Sequence, residues 1–268
     1  MSFLIFDVDH SLASIGGDKA AEEISSFPPI KVTDGIADIN NIIYKLFNKE
    51  DRVYTHPLIP QSIKHSFFKL NDVAKKFQVS GIVIDTISHL FRTDMRILES
   101  KNKSERLEFE GWGKLERMYH LLISDLIKLP IWVIVNSHLS YDKNDLGQFL
   151  FYPQLKGSTK DFIGEYFDCI FFTRIKNSNN KAQYLWQTKP DNQRFAKDRL
   201  DVLEPFIQQD FGAVINLYKQ NGIAYPKILV IGESGTGKTR AIRTLNPKSA
   251  TLSVSDSDNG KAPSKFIN

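Results

Sequence analysis

Residues 232–239 read Gly-Glu-Ser-Gly-Thr-Gly-Lys-Thr, which is the spacing of a phosphate-binding loop. The glycines at 232, 235 and 237 permit backbone conformations closed to other residues and let main-chain N–H groups close around an anion. Lys238 would add a cation for the β- and γ-phosphate oxygens of a nucleotide, and the Thr239 hydroxyl a ligand for Mg²⁺. The candidate cradle is therefore Gly232, Glu233, Ser234, Gly235, Thr236, Gly237, Lys238 and Thr239. Such a loop must join a strand to a helix. The apolar run 227–231 predicts the strand, and 239–245, ended by Asn246-Pro247, predicts the helix. A surface turn that happened to contain a lysine would lack that context.

Other residues able to do chemistry stand where apolar runs end. Asp7 and Asp9 follow 3–6, Asp85 follows 81–84, and His138 follows 131–135. A carboxylate there can order Mg²⁺ or activate water, or it can simply cap the next turn. His138 reads either as a sensor of phosphate or as a hydrogen-bonded strand end, while His10 and His89 read as structural. Lys197 and Arg199 lie two apart in Phe-Ala-Lys-Asp-Arg-Leu, as a cationic finger or as a solvated charge pair. Trp112, between Gly111 and Gly113, is a core residue or a ring on which a base could stack.

The elements that must position these groups alternate along the chain. Buried strands are expected at 3–8, 81–86, 131–136, 168–174 and 183–188, the last two turning at 177–180 into a β-hairpin. Helices are expected at 35–48, 63–77, 114–128 and 200–218, the last with a break near Pro205 and Gly212. The charged stretch 93–114 predicts an exposed excursion, 141–160 an irregular polar segment, 220–226 a linker, and 255–268 a frayed end. Continuous apolar strands alternating with helices define an α/β fold with a mainly parallel sheet covered on both faces.

At 268 residues, 41% hydrophobic and 25% charged, the chain can bury a real core. Its lone Cys169 excludes a disulfide framework and a cysteine metal cluster. A net charge of +4 permits nucleic-acid contact without demonstrating it. Neither a signal peptide nor a membrane-length apolar run is evident, so the expectation is a soluble cytoplasmic protein with no membrane partner.

Taken together, these strand ends resemble the RecA/RadA-like superfamily of P-loop NTPases, and most closely its small phage-encoded recombination ATPases. Ile-Val-Ile-Asp85 resembles a Walker B strand, Phe-Asp-Val-Asp-His10 the strand whose acid activates water, and Val-Asn-Ser-His138 the γ-phosphate sensor strand. The 195–200 run resembles the Lys-x-Arg finger that reaches a neighbouring subunit. The resemblance covers 1–199 and implies ATP and Mg²⁺ as cofactors. It gives Asp9, His138, Lys197, Arg199 and Lys238 catalytic roles, with Thr239 and Asp85 on the metal. It also implies single-stranded DNA and further copies of the chain as partners, in a host cytoplasm if phage-encoded.

Two departures stand out. Asp9 replaces the usual Glu, one methylene longer, and the P-loop follows the other motifs instead of preceding them. The order divides the chain into a core at 1–219 and a linker plus P-loop unit at 220–268. Either the domain is circularly permuted, with 227–231 inserting between 131–136 and 168–174, or two partial ATPases are joined. A strand-like 250–256 duplicates the role of 3–9 and favours joining, or permutation by duplication. The alternatives to an ATPase are a module that binds nucleotide without turnover and a small-molecule kinase.

Overall fold

Apolar residues on both faces of a strand demand cover on both sides of its sheet. A computed structural model of the chain describes residues 2–7, 30–31, 79–100, 106–128, 130–178 and 181–245. The described elements are β1 (Ser2–Asp7), β2 (Ile30–Lys31), β3 (Val79–Asp85), α1 (Ile87–Ser100), α2 (Phe109–Ile127), β4 (Trp132–Lys143) and β5 (Phe149–Pro153). They continue with α3 (Thr159–Phe162), β6 (Cys169–Ser178), β7 (Lys181–Gln187), β8 (Lys197–Asp198), β9 (Phe206–Gln208), α4 (Phe211–Gln220), β10 (Lys227–Gly232) and α5 (Lys238–Ala241). A 3₁₀ turn, Ile242–Leu245, continues α5.

The sheet runs β2-β1-β3-β4-β10-β6-β7-β9. All neighbours from β2 to β6 are parallel, and β7 and β9 add an antiparallel edge. Strand period two then sorts the side chains. Ile82, Ile84, Val133, Val135, Ile170, Phe172, Leu229 and Ile231 pack beneath α1 and α2. Val83, Trp132, Ile134, Cys169, Phe171, Ile228 and Val230 pack beneath α4, α5 and the turn after it.

The last of the described strands in sequence is a central strand in space. β10 pairs with β4 from Lys227↔Val133 to Gly232↔His138, and with β6 from Ile228↔Cys169 to Ile231↔Phe172. Its start is fixed by Asp168, whose backbone N–H donates to Lys227 O and whose carboxylate accepts the Lys227 N–H, both at 2.9 Å. The hairpin expected near 168–188 is β6–β7, in register from Phe172↔Gln187 to Ser178↔Lys181.

Three expected segments differ. The excursion at 93–114 is largely helical, because Leu90, Phe91 and Leu98 give α1 an apolar stripe. α2 begins at Phe109 and includes Trp112 despite its two glycines. A Cβ on Gly111 would lie 2.7 Å from the tip of the Leu107 side chain, which would have to shift. The polar stretch after 141 is ordered as a hairpin, β4 pairing β5 from Leu139↔Pro153 to Lys143↔Phe149. Its turn is closed by the Asn144 side chain, which accepts from the N–H groups of Leu146 and Gln148. The helix expected at 200–218 starts only at Phe211, where the Asp210 carboxylate caps it by accepting from Ala213 N–H at 3.0 Å. The helices expected at 35–48 and 63–77, the strand at 250–256, Asp9 and His10 lie outside the described residues.

Candidate nucleotide site

Parallel strands present their carboxyl ends together, and four of them meet at this edge of the sheet. β3 ends in Asp85, β4 passes through Asn136 and His138, β10 ends in Gly232, and β6 carries Thr173. Asp85 follows Val83 by two, Asn136 follows Ile134, and Gly232 follows Val230. All of them therefore face the side on which α5 packs. One strand separates β3 from β10 and the register sets Asp85 level with Val230, so Asp85 and the loop start at Gly232 are two strand spacings across and two residues along, about 12 Å. A nucleotide phosphate with its metal spans such a gap.

The loop itself is built for close approach. Gly235 and Gly237 have φ of 77° and 92°, values that favour glycine. A Cβ on Gly232 would lie 1.7 Å from the Thr173 hydroxyl. That hydroxyl donates to Thr236 Oγ1 at 2.7 Å, and Thr236 Oγ1 donates to Glu233 O at 2.7 Å. Gln209 bridges Leu185 O and Thr236 O at 3.2 and 2.9 Å. The Lys238 ammonium lies across the loop, donating to Gly232 O at 2.8 Å and Glu233 O at 2.7 Å, while Thr239 follows in the first turn of α5. The arrangement gathers glycines, a lysine and a hydroxyl on one strand-to-helix loop, the parts from which an anion site is built.

Asp85 is fully buried and accepts from Asn136 Nδ2 at 3.0 Å. With its NH₂ turned to a carboxylate, Asn136 is left with a buried amide oxygen that has no partner. Thr239 hydroxyl, Asp85 carboxylate and this amide oxygen are hard donors suited to Mg²⁺ and its waters. Behind them, Ser88 at the start of α1 shares a hydrogen bond with Ser137 at 2.9 Å and accepts from His138 N–H at 2.9 Å. The strand end bearing His138 is thus tied to the helix that follows Asp85.

Lys197 and Arg199 lie elsewhere. β8 pairs with the start of β6, at Ile170↔Lys197, which is the opposite end of the strands from the loop. Lys197 donates to Phe167 O at 2.7 Å, and exposed Arg199 donates to Asp168 at 2.6 Å. Neither reaches the phosphate loop of its own chain. Arg240 stacks over Tyr184, 5.4 Å from the ring centroid, and Arg243 is buried, so neither is poised as a lid arginine of a kinase.

Sequence reasoning missed Asn136, Thr173 and Gln209. Only Asn136 left a signal, as the amide that closes the apolar run 131–135. Thr173 and Gln209 reach the loop from remote parts of the chain.

A family model described as an AAA domain matches residues 1–200. The chain belongs to that family, and the membership points to nucleotide-binding ATPase activity. The matched residues include Asp85 and His138 and stop before the phosphate loop. No curated protein and no solved structure matches the chain. Among the described residues, no helix is long and apolar enough to cross a membrane.

Proposed function

We propose that this chain is an ATP-binding, Mg²⁺-dependent ATPase with a circularly permuted RecA-like domain, its phosphate site completed within one polypeptide. The observation that carries this reading is the seat of β10 between β4 and β6, which brings the loop to the edge and face that hold Asp85. The 220–268 unit then supplies the loop, and the 1–219 core the rest.

In this site the 232–237 backbone and Lys238 hold the phosphates, while Thr239 and Asp85 hold Mg²⁺, with Asn136 orienting Asp85. Mg²⁺ supplies neutralisation of phosphate charge as the terminal phosphoryl group leaves. Asp9 takes the proton of the attacking water, and His138 reports the γ-phosphate. Lys197 and Arg199, at the far end of the strands of their own sheet, serve a neighbouring copy, which makes the active species a homo-oligomer. Lys238→Ala is expected to abolish ATP binding and turnover. Asp85→Asn should keep the fold and lose Mg²⁺-dependent hydrolysis. Turnover that survives both changes would defeat the assignment; nucleotide binding without turnover in the unmodified protein would favour the non-hydrolysing module.

Single-stranded DNA is the proposed partner, in phage-type recombination or replication within a host cytoplasm. Support comes from the β4–β5 hairpin, which continues the His138 strand beyond the sheet. It carries exposed Tyr141 and Phe149 in edge contact at 5.3 Å, with the Lys143 ammonium 5.1 Å from the Phe149 ring. Aromatics beside a lysine form a stacking platform for bases. Hydrolysis stimulated by single strands, with salt-sensitive affinity, is the expected result.

A further inference from the structure

We propose that the cavity between α1, α2 and the 155–160 segment is a second binding site, which takes one nucleobase turned out of a bound single strand. This rests on the reading of the β4–β5 hairpin as a single-strand contact. The cavity measures about 460 Å³, room for a base with its sugar. Phe91, Trp112 and Leu155 supply apolar walls, and two of the three are aromatic. Phe91 and Leu155 belong to the core on the α1/α2 face, whereas α5 packs on the other face, so this is not the phosphate site.

The polar lining selects a neutral ring. Glu116 and Asp142 balance Lys156 and Lys160, and Lys160 is already paired with Asp142. A phosphate would meet no net attraction there, whereas a base edge carries both donors and acceptors. Thr159 is 1% exposed, lines the cavity, and has a hydroxyl without a hydrogen-bond partner. A buried hydroxyl left alone is costly, and a base in the cavity offers the missing partner. The Lys156 ammonium stands over the Trp112 ring, 5.9 Å from its centroid. Asp142 ties the cavity to the hairpin, since it lies between Tyr141 and Lys143 on β4.

The test uses the three tryptophans. Trp132 and Trp186 are 1% and 0% exposed, so acrylamide quenching reports Trp112. The full chain with Mg²⁺-ATP is titrated with an oligothymidylate and with an abasic deoxyribose-phosphate oligomer of equal length, and binding is followed by anisotropy. The base-bearing strand is expected to protect Trp112, and the abasic one to leave it open. Trp112→Leu should weaken the oligothymidylate about ten-fold, the effect of losing one base stack, without changing the abasic affinity. Thr159→Val, which keeps the side-chain shape, should weaken it in the same direction. Equal protection by both oligomers, or none from a bound oligothymidylate, overturns the cavity site and leaves the hairpin reading standing. Failure of both oligomers to bind overturns both.

Discussion

Asn136 stands one strand over from Asp85 and turns its NH₂ to that carboxylate, so the acid at the candidate metal position is held by a residue whose own oxygen still lacks a partner. Removing such a support misorients the acid without removing it. Asn136→Ala is expected to lower hydrolysis about 10- to 100-fold and to move its Mg²⁺ dependence to higher concentration. A Mg²⁺ titration of steady-state turnover checks this. An unshifted curve would reduce Asn136 to a packing role.

Gly232 has no room for a side chain. Gly232→Ala would drive a methyl into Thr173, which is bonded to Thr236, and should cost about 1–3 kcal/mol of stability together with nucleotide affinity. Adding Thr173→Ala removes the nearest clash, the hydroxyl, but leaves the residue 173 Cβ and Thr236 Oγ1 each 2.8 Å from the new methyl, so part of the loss should be recovered, as contacting residues couple in a double-mutant cycle. Denaturant unfolding and ATP titration of the three variants measure it. Additive losses would place the strain elsewhere.

Burial pushes the Lys227 ammonium down to about 8 from its ordinary 10.5, against the opposing pull of Asp168. The unfolded chain therefore binds more protons than the folded one between these values, and stability should rise with pH across the window. Below about pH 8 the full cost of a buried charge is present; the gain above it is on the order of 3 kcal/mol at most. Lys227→Met should flatten this rise in unfolding free energy. A parallel rise in the variant would assign the effect to other groups.

Arg199 and Lys238 sit at opposite ends of the neighbouring strands β6 and β10. If the finger acts between copies, Arg199→Ala and Lys238→Ala proteins, each inactive alone, should regain hydrolysis when mixed. Mixtures that stay inactive while forming oligomers would confine Arg199 to its pairing with Asp168.

Much of this was legible in the residues, and the reasons are physical. Continuous apolar runs marked β3, β4, β6 and β10 because strands buried on both faces need them, and the glycine spacing marked the loop. The Tyr141 and Phe149 ladder was hidden because an exposed hairpin carries polar residues as a loop does. α1 was hidden by its charges: Arg92 and Arg96 are exposed and Asp94 is buried against the Tyr119 hydroxyl, while Leu90, Phe91 and Leu98 hold the core. Thr173 and Gln209 could not be read at all, since their roles exist only once β6, β9 and the loop meet in space. Asp85 was found as a strand-end acid, but its support by Asn136 depends on register between neighbouring strands, which one sequence does not specify.

The position of β10 also has a consequence for biogenesis. Until residues 227–232 leave the ribosome, β4 and β6 each lack a neighbour, and the nascent protein carries a slot in the middle of its sheet with two open edges. Closing that slot needs a contact far apart in sequence, which is slow to form. Synthesis of this chain would thus leave a sticky intermediate that waits for β10, and that stage is where a chaperone or a protease would find it.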